Sequence, residues 1–185
     1  MARTSTISIP LGYEAPDFSL WDVVSEKHLS LAELRGPKAT VVVFACNHCP
    51  FVKHVWDALL SLARDYLPKG VGFVVINSNN FKAYPEDAPD KMKALALEKN
   101  FPFPYLVDTT QKVAKAYVAA CTPDFSVFNF KLHCIYRGRL DGARPENDIP
   151  PSGEDLRQVL DLLLAGKPVP TEQKPSVGCN IKWNP

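Results

Sequence analysis

Two cysteines, Cys46 and Cys49, stand two residues apart with Asn47 and His48 between them. A β-branched, apolar run from Ala39 to Ala45 precedes them. Pro50 follows, and then Val52, Val55, Trp56, Leu59, Ala63, Tyr66 and Leu67 recur at helical spacing. A Cys-x-x-Cys at a strand-to-helix junction has a definite chemistry. The first N–H groups of a helix have no intrahelical partner, and the macrodipole adds partial positive charge there. A thiolate at that place is stabilised, so its pKa falls and it becomes a nucleophile near neutral pH. Cys49 falls on the same face as Cys46 and within disulfide reach. His48, as imidazolium, would stabilise the thiolate further. Pro50 sits in the first turn, where a missing N–H costs least. The sequence thus predicts Cys46 at the exposed mouth of the turn as the attacking sulfur, with Cys49 resolving.

The elements that must position this pair are legible around it. The run at 39–45 fits a strand buried on both faces. A second such run covers 71–77. The polar, proline-bearing loop from Asn77 to Pro89 follows it, and such loops border the active crevice in open α/β sheets. A helix from Asp90 to Lys99 carries Met92, Leu95 and Ala96 on one face, and another is expected over 110–120. Residues 124–128 and 132–136 read as a hairpin. The last helix opens near Ser152, buries Leu156, Val159, Leu160, Leu163 and Leu164, and stops at Gly166. Ahead of the central strand, Phe18 and Leu20 alternate with polar residues, and Ser30 with Glu33 makes a capping-box pattern. The order implies an α/β protein: a mixed central sheet flanked by helices, with an N-terminal strand extension and an extended C-terminal tail.

The chain has 185 residues, enough for one domain with a substantial core. Hydrophobic residues make up 46% and charged residues 22%, a globular composition. A net charge of +1 gives no footing for a nucleic-acid or anionic-membrane partner. No apolar run approaches the ~18 residues of a membrane span, and the first residues lack the shape of a signal peptide. The expected compartment is therefore the cytoplasm. Five cysteines cannot all pair within one chain. In a reducing compartment, Cys-x-x-Cys indicates redox work or metal binding rather than a structural staple. The redox reading requires no cofactor and no metal.

A second constellation, Cys121-Thr122-Pro123, follows the 110–120 segment and opens the hairpin. Together with Ala15-Pro16-Asp17-Phe18, the stretch from Leu31 to Gly36, the Cys46-x-x-Cys49-Pro50 unit and Gly138-Arg139, it makes the chain resemble the thioredoxin-like superfamily. Within that superfamily it is most similar to the redoxin, peroxiredoxin-like (AhpC/TSA-type) branch. The resemblance covers residues 13–165 as a thioredoxin-like domain and leaves 166–185 as the tail. It implies a cis Thr122–Pro123 bond facing the cysteines, with the Thr122 backbone placed so that a substrate could pair as an added strand. It also implies a disulfide-bearing protein or small thiol as substrate and an unidentified thiol reductant as donor. There are departures. Ala45, Asn47 and His48 stand where thioredoxins carry Trp, Gly and Pro. Thr40 replaces the buried acid six residues before the first cysteine. If Cys49 were peroxidatic, Cys46 would occupy the position of the hydroxyl residue that peroxiredoxins use.

The other cysteines divide. Cys134, on an alternating strand, reads as an inert core thiol. Cys121 adjoins the expected cis-proline and is either a small buried residue or a third thiol. Cys179 lies in the tail, as a third redox thiol or part of a docked segment. The leading function is a thiol–disulfide oxidoreductase using Cys46 and Cys49. Its rivals are a peroxiredoxin-like antioxidant peroxidase that forms a sulfenic acid, and a copper-handling module using both cysteines with His48 or His133. A redox-inert adaptor with the same fold is the last.

Overall fold

The computed structural model describes residues 3–185. The chain begins with β1 (Arg3–Ser5), β2 (Ser19–Asp22), β3 (Lys27–Ser30) and one turn of helix, α1 (Leu31–Leu34). The central unit is β4 (Ala39–Phe44), α2 (Pro50–Tyr66) and β5 (Val71–Asn77). Then come α3 (Pro89–Glu98), β6 (Tyr105–Val107), α4 (Lys112–Ala116) and β7 (Cys121–Thr122). The hairpin β8 (Asp124–Asn129) and β9 (Cys134–Gly138), helix α5 (Glu154–Leu164) and β10 (Val177–Asn180) complete it.

Every residue of β4 is buried, as its apolar run requires. The strand pairs in parallel with β5 and antiparallel with β8, inside a seven-stranded mixed sheet ordered β3-β2-β6-β5-β4-β8-β9. Its side chains alternate between two layers. Val41 and Val43 join α2, α3 and α5 through Trp56, Leu59, Met92, Leu156 and Leu160. Val42 and Phe44 join the opposite layer with Leu31, Ala114, Tyr117 and Phe128. The expected architecture of a mixed sheet flanked by helices is thus present. The Ser30–Glu33 capping box forms in full, and Gly166 takes φ +66° after α5.

Two local expectations change. The helix expected over 110–120 is only α4, because Gln111 (φ 60°) and Val118 (φ 52°) turn the chain into the left-handed region on either side. The tail is not simply extended. It forms β10, the middle strand of a small second sheet ordered β1-β10-β7. Ile181, just after β10, is 1% exposed in the layer of Val42. β1 has no apolar alternation and that of β10, Val177 and Cys179 against Gly178 and Asn180, is only four residues long; each strand is held by its partners. Gly178 shows why β10 fits: a Cβ there would lie 1.9 Å from the Thr122 carbonyl oxygen. Among the described residues no helix is long and apolar enough to cross a membrane.

Candidate active site

After β4 the chain passes through Ala45, whose N–H donates to the Ile76 carbonyl at 3.0 Å, and turns across residues 46–48 into α2. Cys49 is the N-cap of α2 and Pro50 its first residue. The helix therefore begins at the second cysteine, and Cys46 lies in the turn ahead of it.

An acid from another element holds this turn. Asp87, in a short 3₁₀ turn between β5 and α3, accepts from the Asn47 N–H at 2.8 Å and the His48 N–H at 3.2 Å. Its second oxygen lies 2.5 Å from His48 Nδ1 and accepts from Asn79 Nδ2 at 2.9 Å. The Tyr105 hydroxyl donates to Asn47 Oδ1 at 3.0 Å, and Tyr84 stacks on the His48 ring. Burial pushes the Asp87 carboxyl up, but hydrogen bonds from His48, Asn79 and the Asn47 amide bring it below its usual range. Thr40, at the position where thioredoxins carry a buried acid, only accepts from the Gly36 N–H. The buried acid beside Cys46 is Asp87, supplied from the loop after β5. The sequence marked that loop as bordering the crevice but could not separate Asp87 from Glu86. Tyr84 and Tyr105 were likewise not singled out.

The Thr122–Pro123 bond is cis. The Thr122 hydroxyl oxygen lies 3.5 Å from Cys46 Sγ, and its carbonyl oxygen 3.2 Å from Cys49 Sγ. Cys179 comes in from β10, with its sulfur 2.7 Å from that of Cys49. The structure thus brings Cys46, Cys49, Thr122, Pro123 and Cys179 together. His48 belongs to the cluster through its backbone, but its Nδ1 faces Asp87 rather than serving a sulfur. Cys121 is buried with its thiol toward the Pro123 carbonyl, and burial followed by the Asp124 carboxylate pushes its pKa well up. Cys134 is buried in the opposite layer, facing the Tyr136 carbonyl, with its pKa raised by burial.

The expected exposure of Cys46 is not met. Cys46 and Cys49 are both 0% exposed, because Thr122 and β10 lie over the turn. The order of acidity is also reversed. Burial, the hydrogen bond with Cys49 and the Asp87 carboxylate push the Cys46 thiol well above its ordinary value. Cys49 goes down to about 5; the hydrogen bond from Cys46 is the largest cause, and it outweighs burial with help from Cys179 and the Val52 amide. Cys179 is pushed up to about 12, first by burial and then by its bond to Cys49. A protonated Cys49 would donate to the Thr122 carbonyl. An ionised Cys49 instead receives the S–H groups of Cys46 and Cys179 at a helix N-terminus, and these outweigh the one carbonyl. The helix end and the neighbouring thiols thus favour the thiolate form of Cys49, while burial and Asp87 disfavour that of Cys46.

Cys46, His48 and Asp87 also place one ligand atom each within 4.8 Å of one another. The donors are mixed, and Asp87 and His48 Nδ1 are already bonded to each other. The copper reading with His133 fails on geometry. His133 follows Asn129, which pairs with Ala39, whereas the cysteines follow Phe44 at the other end of β4. That separates them by about five residues of strand, or roughly 17 Å.

A mixed sheet with a strand–Cys-x-x-Cys–helix unit facing a cis-proline defines a thioredoxin-like protein. The chain belongs to the AhpC/TSA family, whose model matches residues 11–137. It is 55% identical to an uncharacterized conserved protein from Geobacillus kaustophilus of known crystal structure, with a TM-score of 0.98, covering 100% of this chain and 98% of that one. It is 44% identical to a hypothetical protein from Sinorhizobium meliloti, with a TM-score of 0.95, covering 98% of each chain. The fold is also that of a putative thiol:disulfide interchange protein, DsbE, from Chlorobium tepidum, at 17% identity and a TM-score of 0.66, covering 85% of this chain and 99% of that one. No curated protein matches. The family and the fold support a general thiol redox role.

Proposed function

We propose that the chain is a cytoplasmic thiol–disulfide oxidoreductase whose redox pair is Cys46 and Cys49. The observation that carries this reading is the position of Cys49. It caps α2, takes a hydrogen bond from Cys46 and faces the Thr122 carbonyl beside cis-Pro123. The Cys49 thiolate attacks one sulfur of a disulfide, forms a mixed disulfide and expels the first thiol. Cys46 then gives up its proton, attacks Cys49 Sγ and expels the second thiol. Two electrons pass from the cysteine pair to the substrate, and a thiol reductant restores the pair. Asp87 fixes the turn and places a buried carboxylate oxygen within 4.8 Å of Cys46 Sγ. An odd cysteine count suits a reducing compartment.

Reduction of a small aromatic disulfide by the purified, pre-reduced protein tests the reading. Cys49→Ser should remove turnover, and unchanged turnover in that variant would end the proposal. A second reading, a thiol peroxidase, has one observation in its favour: the lowered pKa of Cys49. Against it, the group that hydrogen-bonds to Cys49 from three residues earlier is a thiol, not a hydroxyl. Rapid consumption of hydrogen peroxide, followed by stopped flow, would separate the two.

A further inference from the structure

The edge of β7 that faces the cysteines is already occupied. β10 pairs with it antiparallel, Cys179 opposite Thr122 and Asn180 opposite Cys121. An extended segment that reads backbone edges by strand addition takes the same position on its receptor. β10 is fixed there from both sides. β1 pairs with its other edge, and the Ser176 hydroxyl donates to the Pro123 carbonyl at 2.6 Å. Beyond the strand, the Lys182 N–H donates to Asn79 Oδ1 at 2.8 Å, and the Lys182 carbonyl accepts from Gln111 Nε2 at 2.8 Å. Gly178 is the residue that permits the approach, since any Cβ there would meet the Thr122 carbonyl.

We propose that β10 is a substrate strand supplied by the chain itself, and that Cys179 exchanges with Cys49 to form a Cys49–Cys179 disulfide in the oxidised protein. This rests on the redox reading of Cys49 given above. The sulfurs are 2.7 Å apart, against about 2.05 Å for the S–S bond, so closure needs only a small shift. Cys49, as the ionised member, attacks one sulfur of a small external disulfide, forms a mixed disulfide and expels a thiolate. That thiolate takes the Cys179 proton. The Cys179 sulfur then attacks Cys49 Sγ, closes the Cys49–Cys179 bond and expels the second thiolate. The external disulfide gains two electrons and the Cys49–Cys179 pair loses two. The external reactant is a small disulfide. None of the three cysteines is more than 3% exposed, and while β10 is docked no second strand can take its place on β7.

Peptide mapping decides the matter. The reduced protein is treated with excess oxidised glutathione, quenched in acid, alkylated and digested with trypsin. Cys46 and Cys49 share the tryptic peptide 39–53, so their disulfide is a loop within one peptide, whereas Cys49–Cys179 joins two. The expected result is the two-peptide link in the wild type and, as the dominant disulfide, in Cys46→Ala. Gly178→Val should lower its yield at least tenfold while the loop within 39–53 still forms. A wild type that yields only the internal loop overturns the proposal and leaves the Cys46–Cys49 reading standing. Accumulation of glutathione on Cys49 in Cys46→Ala also overturns it. If no disulfide of either kind forms, both readings fall.

Discussion

His48 and Asp87 are bound to each other at 2.5 Å, so the histidine inside the Cys-x-x-Cys unit serves the turn's geometry through a carboxylate. The same carboxylate takes the Asn47 and His48 amides. The backbone donors that a sequence reader would award to a thiolate are spent on Asp87. The thiolate is instead stabilised on Cys49 by neighbouring thiols and the helix end.

Asp87→Asn should destabilise the protein, because one amide oxygen replaces two carboxylate oxygens that accept four hydrogen bonds. Each buried donor left unpaired costs roughly 1–3 kcal/mol. The pH dependence has a definite sign. The folded-state pKa of Asp87 is depressed, so its contribution is complete above the unfolded value and is lost as pH falls through the folded one. Urea unfolding at pH 7 and at pH 3 should show a smaller acid-induced loss in Asp87→Asn than in the wild type. Equal losses would contradict this role.

Thiolate absorbance near 240 nm should titrate with a midpoint near pH 5 in the reduced wild type, the value for Cys49. Cys46→Ala removes the largest cause of the depression and should raise that midpoint. Between about pH 5 and the ordinary cysteine value of 9.0, the unfolded chain holds one more proton at Cys49 than the folded one. Its contribution to stability therefore grows with pH across that window and is lost as pH falls through 5. Cys46 and Cys179 are shifted the other way, so stability should decline again above pH 9. An unchanged midpoint in Cys46→Ala would remove the thiol–thiol hydrogen bond from the account.

Gly178→Val should release the tail. A Cβ 1.9 Å from a backbone oxygen cannot be relieved by a rotamer change, so β10 must move. Limited trypsin proteolysis should cut the variant after Lys182 well before it cuts the wild type. Equal resistance would mean that β10 tolerates a side chain there and is not held against Thr122 as described.

The central unit was legible because its signals are local. A buried, β-branched run, a proline at the first helical position and a helical stripe led by Val52 and Trp56 all agree with the fold they adopt. Capping at Ser30–Glu33 and the stop at Gly166 were readable for the same reason. The resemblance supplied the cis bond at Pro123, which no local pattern would have revealed. What escaped is long-range. Asp87 reaches the turn from 40 positions away, and only the folded loop tells it from Glu86. The thiol acidities could not be ordered from position alone. They depend on which sulfur the others surround, and Cys179 arrives from 130 positions along the chain. Strand β10 was hidden because Val177, Cys179 and Ile181 alternate with Gly178, Asn180 and Lys182 over too short a run, in a tail with four prolines, to mark a strand without its partners. Its conformation is imposed by β1 and β7.

The most direct test is a redox titration of the protein against glutathione buffers, quantifying the disulfide loop within peptide 39–53. A reversible two-electron transition of about 30 mV per tenfold change in the oxidised-to-reduced ratio is the predicted result. Cys46 and Cys49 remaining as thiols across the whole range would contradict the account.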